Sequence, residues 1–174
     1  ILTPRTVSIT PITNFTVNLD VSPLALGAYL YFPFNKGNFT GLREYTVNST
    51  TDNYDSAEVT EHVPNYTPHN IVAMAATTTE DIIALLSSDD PSTLYIYKYF
   101  WNGNQKVVSS WSKFTVEGEI RGINFIESAL YMVVAHNGET QLLEMPLESG
   151  LTDDSGFVTH LDMRVSRTEP AETG

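Results

Sequence analysis

The chain has 174 residues, enough for one domain with a substantial core. At 41% hydrophobic and 17% charged residues it reads as globular rather than disordered. A net charge of −12 excludes a reader of the nucleic-acid backbone, whose affinity comes from Lys and Arg, and the lack of cysteine excludes disulfides and zinc–thiolate sites.

An acidic surface remains compatible with DNA that must pass without sticking, and equally with simple solubility. The chain begins Ile1-Leu2-Thr3, with no secretory signal pattern, and reads as a soluble piece of something larger. Its longest uncharged apolar stretch, Val21 to Phe34, is broken by Pro23, Gly27 and Pro33 and is too short to span a bilayer. Asn-x-Ser/Thr triplets start at Asn14, Asn38, Asn48 and Asn65. Without cysteines or a signal peptide they read as by-products of a strand-and-turn composition.

In chain order, Phe15 to Leu19 alternates apolar and polar residues, the period of a half-buried strand. Tyr29 to Phe34 is a dense aromatic run, Asn35-Lys36-Gly37-Asn38 is a turn by composition, and Phe39 to Val47 resumes as a strand. The two strands predict a hairpin, so residues 15–47 form a first hairpin region. The interval 48–70 is predicted to be loop with one short helix over Ala57 to His62. Ser56 would cap that helix, with Glu58 and Glu61 in its first turn, and Pro64 and Pro68 forbid anything longer.

Four strands then follow: Ile71–Ala76, Ile82–Ser87, Thr93–Trp101 and Lys106–Val116. In the third, Leu94, Ile96, Lys98 and Phe100 alternate with Tyr95, Tyr97 and Tyr99. Apolar matter on both faces predicts a sheet packed between two others. Part of the pattern recurs 49 residues on, where Ile120–Phe125, Ala129–Ala135 and Thr140–Met145 match the first three of these strands. Repetition at that period suggests blade-like units, 71–116 and 120–146. The expected fold is all-β, with antiparallel four-stranded units of β-propeller type and one short helical insertion. An incomplete propeller and a β-sandwich-like fragment both remain open. Residues 1–165 are read as a single domain, and 166–174 as a flexible tail.

The search for chemistry finds little. His62 and His69, seven apart in a Pro-rich segment, lack ligand spacing; His62 reads instead as an anchor of the segment, together with Tyr66. Asp89-Asp90 and Asp153-Asp154 fit turns better than a glycosidase pair. Asp52, Asn53 and Asp55 lack the Gly and closing Glu of a Ca²⁺ loop. No nucleophile or phosphate-loop motif occurs. Trp101, Trp111, Tyr95, Tyr97 and Tyr99 fit either a sugar-stacking platform or, better, a core. The cations Arg43, Lys98, Lys106, Lys113, Arg121, Arg164 and Arg167 are scattered and form no nucleic-acid stripe; they suit salt bridges at a subunit rim. No cofactor or metal is expected.

One ordered set of motifs remains. It begins with Glu58-Val59-Thr60-Glu61-His62-Val63-Pro64-Asn65-Tyr66, continues with Tyr95-Ile96-Tyr97-Lys98-Tyr99, and ends with Gln105-Lys106-Val107 leading into Ser109-Ser110-Trp111-Ser112-Lys113. In order and spacing, most densely from Pro23 to Pro146, it resembles the tail tubular protein B (tail nozzle protein) family of short-tailed bacteriophages. The resemblance implies a structural virion protein of the phage tail, not an enzyme. Such a protein belongs to the tube or nozzle through which DNA is ejected. In that family the nozzle is a hexameric ring of copies below an adaptor ring protein, in contact with tail fibres; DNA passes without specific binding and no membrane is involved. The resemblance makes Glu58, Thr60, His62, Val63, Pro64, Tyr66, Tyr95, Tyr97, Lys98, Trp111 and Lys113 structural signature residues rather than catalytic ones. The alternative is a tail component that binds or hydrolyses polysaccharide, which would need two carboxyls converging beside Tyr or Trp.

Overall fold

The computed structural model describes residues 17–48, 53–103, 105–147 and 158–165. They form twelve strands: β1 (Leu24–Leu26), β2 (Tyr29–Lys36), β3 (Phe39–Asn48), β4 (Asn53–Glu58), β5 (Ile71–Thr77), β6 (Ile82–Ser87), β7 (Asp90–Asn102), β8 (Gln105–Val116), β9 (Glu119–Ile126), β10 (Ala129–His136), β11 (Glu139–Pro146) and β12 (Val158–Val165). All the pairings between them are antiparallel. No described segment is helical, so none is a helix long and apolar enough to cross a membrane.

Three sheets result. The first runs β1-β2-β3-β4, the central one β12-β8-β7-β6-β5, and the third β11-β10-β9. The central sheet is covered on both faces, as the double-sided pattern of β7 requires. Tyr95, Tyr97 and Tyr99 join one core cluster with Tyr31 and Leu42 of the first sheet. Leu94 and Ile96, on the alternate positions, join a second cluster with Leu130, Met132 and Val134 of the third. The period-2 geometry of a strand makes one sequence serve two cores.

Turn chemistry sets the hairpins. β10 passes to β11 through Asn137 and Gly138, both at positive φ (50° and 82°), the pair of conformations a type I′ turn demands. Between the central and third sheets the chain turns at Gly118, with φ of 131°. A Cβ there would lie 2.6 Å from the Ala135 carbonyl oxygen, so this crossing is closed to larger residues.

Two expectations are corrected. The helix over Ala57–His62 is absent. Ser56, Ala57 and Glu58 belong to β4 and pair with Tyr45, Glu44 and Arg43 of β3. Two successive tight turns follow, Val63 N–H to Thr60 O at 2.9 Å and Tyr66 N–H to Val63 O at 3.1 Å. A strand edge that satisfies the backbone outcompetes one isolated helical turn, whose nucleation is unfavourable. The interval 48–70 is therefore not all loop, since it contains β4. The strand expected over Phe15–Leu19 also fails in its described part. Val17 makes one bridge to Phe34, and Leu19 is 91% exposed. Buried Asn18 turns the chain instead, accepting from the Asp20 N–H at 2.9 Å and donating to the Ile71 carbonyl at 3.2 Å. The tail at 166–174 and the pair Asp153-Asp154 lie outside the described residues, as does Asp52.

Candidate functional site

Most of the residues singled out by the sequence pattern gather where the first sheet meets the central one. The geometry begins at the edge of β3. Beyond Glu58 the chain leaves β4 yet continues along β3, with Val59 N–H donating to Leu42 O at 3.0 Å and Thr40 N–H donating to Thr67 O at 3.0 Å. Between those two contacts the Leu42 N–H donates to the Thr60 hydroxyl oxygen at 3.2 Å. A side chain thus replaces the backbone acceptor that a strand would supply. Thr60 is buried, and its hydroxyl donates in turn to Glu58 Oε1 at 3.1 Å, which also accepts from Lys36 Nζ at 2.9 Å. Buried polar groups need such partners.

The same segment is fastened to the central sheet. The fully buried Trp111 on β8 donates its indole N–H to Val59 O at 3.1 Å. Trp111 pairs in register with Tyr97, and their rings lie 5.0 Å apart. Val63 packs against this core. Tyr66 meets Tyr95 edge-on, ring centres 5.8 Å apart, and Lys113 Nζ sits 5.7 Å from the centre of the Tyr66 ring. Tyr95 is held from its polar end by donation to Asp90 Oδ2 at 2.8 Å.

A buried ion pair closes the other end of the seam. Lys106 Nζ of β8 lies 2.6 Å from Glu44 Oε2 of β3. Both are largely removed from solvent, with side chains 17% and 6% exposed. The Tyr31 hydroxyl donates to the same carboxylate oxygen. Lys106 also donates to the Tyr97 hydroxyl at 3.3 Å and sits 4.9 Å from the Trp101 ring centre, while Trp101 stacks on Tyr29 at 4.9 Å. This pair spans two sheets with complementary hydrogen bonds on each member, the condition under which a buried pair is retained.

The environment moves the phenols strongly. Burial, then the bond to the Glu44 carboxylate, pushes Tyr31 far above the usual tyrosine range. Burial, then Asp90, pushes Tyr95 well up. Burial raises Tyr97 despite the Ser109 hydrogen bond, and burial with the charges of Asp81 and Glu44 pushes Tyr99 up to about 12. These are buried phenols, protonated at neutral pH, rather than acids or bases poised to react.

Not every signature residue joins the seam. Lys98 is on the opposite face of β7 and ties down a turn, donating to Glu80 O at 3.0 Å. Pro64 is exposed in the turn segment. His62 is exposed as well and forms no side-chain hydrogen bond with another described residue, so Tyr66, not His62, is the anchor. Partial desolvation pushes the His62 pKa below its ordinary value, against the opposing charge of Glu61. The aromatics weighed as a sugar platform are packing residues. Tyr95, Tyr97, Tyr99 and Trp111 are buried and Trp101 is half-buried. Asp89 and Asp90 serve their turn, bonded to Asn70 and to Tyr95 and Ser92. Among the described residues no three His, Asp or Glu side chains are placed to hold a metal ion.

The sequence reading missed Glu44 and its partnership with Lys106. The signal was present: Thr40, Leu42 and Glu44 occupy alternate, inward positions of β3, and an acid in such a series demands a buried cation.

A family model for the bacteriophage nozzle protein matches residues 1–174. The chain belongs to the bacteriophage nozzle protein family. The tail tubular protein gp12 of Escherichia phage T7 is 27% identical over 177 residues, an alignment covering 99% of this chain and 22% of that protein. The nozzle chain described here thus spans about a fifth of its relative's length. Family membership makes it a structural component of the phage tail, located in the virion.

Proposed function

We propose that this nozzle chain is a wall segment of the channel through which phage DNA is ejected, and that it acts mechanically. The observation carrying this reading is the convergence of signature residues on a cross-sheet lock rather than on a reactive pocket. Thr60, Trp111, Tyr66, Tyr95 and Lys113 join two sheets through hydrogen bonds and ring contacts. A wall under pressure needs sheets that cannot slide, and directional bonds resist sliding better than apolar contact. On this reading residues 71–116 and 120–146 are successive blade-like units of propeller type. The partners are further copies in a ring, an adaptor ring protein and tail fibres, with DNA passing unbound.

Charge distribution suggests which surface meets the DNA. On the third sheet and its turns Glu117, Glu119, Glu127, Glu139 and Glu144 are all exposed, and Arg121 is the one Lys or Arg between residues 117 and 147. Arg121 is itself paired with Glu119 at 3.4 Å. A surface of this sign repels phosphate and keeps a sliding duplex from adhering. The test is a phage carrying Glu117→Lys, Glu127→Lys and Glu139→Lys. It is expected to assemble normally and eject DNA more slowly, with the defect easing at high salt. Unchanged ejection kinetics in assembled particles would reject the role of this face. Immunogold labelling of intact virions tests the placement separately, with gold expected at the distal tail.

A further inference from the structure

The central and third sheets differ in one respect that the 49-residue repetition brings out. Strand β7, third in its unit, has β6 on one side and β8 on the other. Its counterpart β11 has β10 on one side and, among the described residues, no strand on the other. β12 does not take that place, because it pairs with β8.

The open edge is of a kind that invites a strand. β11 is eight residues long, pairs with β10 without a bulge, carries no Lys, and has its proline only at the last position. Leu142, at its middle, is 68% exposed. Exposed strand edges are ordinarily blunted by bulges, prolines or charged side chains, and ahead of Pro146 this one has only Glu139 and Glu144 of these. Beside it, between the end of the third sheet and the central sheet, lies a groove of about 190 Å³. Its floor includes Ile96, Ser112 and Phe114 and its wall Met145 and Leu147, so the groove borders the strand whose edge is open.

We infer that β11 receives one further antiparallel strand, supplied by the same nozzle polypeptide from outside these 174 residues. This strand is the counterpart of β8, and its inward apolar side chains fill the groove. Three observations argue for this occupant. The repeated unit has a strand in the corresponding position. The groove is largely apolar and borders β11 at Met145. The chain accounts for 22% of the length of its relative, which leaves ample polypeptide to provide it. Strand addition of this kind draws its affinity from the backbone ladder and its selectivity from alternate side chains.

The test uses the full-length nozzle protein with a photoreactive benzoylphenylalanine in place of Leu142, a position exposed enough to accept it. Irradiation of the dilute monomer is expected to give an intramolecular crosslink to a segment beyond residue 174. A crosslink to a second copy, or to a segment within residues 1–174, would overturn the inference. Hydrogen exchange on the unsubstituted protein supplies a second readout. If the strand is present, every amide of β11 exchanges as slowly as those of β10; rapid exchange at alternate β11 amides would mean an open edge and would overturn it. Neither readout depends on DNA ejection, so this inference and the proposed function fail separately.

Discussion

The two seams flanking the central sheet are built from opposite materials. Toward the first sheet the interface is aromatic and polar: Tyr31, Tyr97, Tyr99 and Trp101 lie around the Glu44–Lys106 pair, Trp111 holds the far end, and hydroxyl, indole and carboxylate groups bond across the gap. Toward the third sheet it is largely aliphatic, with Ala84, Leu86, Leu94, Ile96, Leu130 and Val134 in contact. Toward the rim of this seam the Thr77 hydroxyl of β5 donates to Glu127 O, in the β9–β10 turn, at 3.3 Å. The first seam admits a single relative position of its sheets, because a displaced donor is left unpaired in a dry place. The second is held mainly by apolar area, which is strong but non-directional and tolerant of repacking. The signature residues concentrate on the seam that is fixed.

Alkali is the broadest way to break that comparison, because four of the nine tyrosines lie in the first seam with raised pKa values. A phenol whose folded pKa exceeds the unfolded value near 10 contributes stability that is complete below about pH 10. That contribution is lost as the pH rises toward and past 12, the value at Tyr99. The expected result is a cooperative loss of structure above about pH 10 in which phenolate absorbance and circular dichroism change together. Smooth ionisation of these tyrosines in a protein that stays folded would contradict the seam as drawn.

Single substitutions sharpen the contrast. Glu44→Ala leaves a part-buried ammonium and the Tyr31 hydroxyl without their carboxylate and is expected to cost up to about 3–5 kcal/mol, measured by denaturant unfolding. Glu44→Ala with Lys106→Met should recover much of that loss, and a double variant no better than the single one would show that the pair does not act as a unit. Thr60→Val deprives the Leu42 N–H of its acceptor and is expected to cost about 1–3 kcal/mol, while Thr60→Ser stays close to the parent. On the aliphatic side, Leu130→Met keeps volume and should cost under about 1.5 kcal/mol. A larger loss there would mean that the second seam is as specific as the first.

How much of this was legible in the sequence varies by element. The strands from Ile71 to Met145 follow from alternation and turn residues, and the double-sided pattern of β7 announced a sheet between sheets. The segment Ser56–His62 misled, because Ser56 with two glutamates after it satisfies helix-capping rules that are purely local. The competing partner, the edge of β3, lies further back in the chain, where Tyr45 pairs with Ser56 and Arg43 with Glu58, and is invisible to a local rule. Leu19 misled for a similar reason: its alternation with Phe15 and Val17 suggests a strand, but a buried Asn18 with a distant acceptor on β5 redirects the backbone. The signature block was found as a pattern without a mechanism. Its mechanism needed Trp111, Val59, Leu42 and Thr60 to be seen in one place.

By itself the sequence determined an all-β chain, the double-faced central strand, the turns and the acidic balance, because each depends on side-chain period, backbone preference or a simple count. Only the tertiary structure decided that there are three stacked sheets, that Thr60 stands in for a strand's carbonyl, that Lys106 finds Glu44, and that β11 is left with a bare edge. Those outcomes join residues up to 62 positions apart, as in the Lys106–Glu44 pair. A linear pattern records which groups must be satisfied; which partner satisfies them is settled only when packing brings the sheets together.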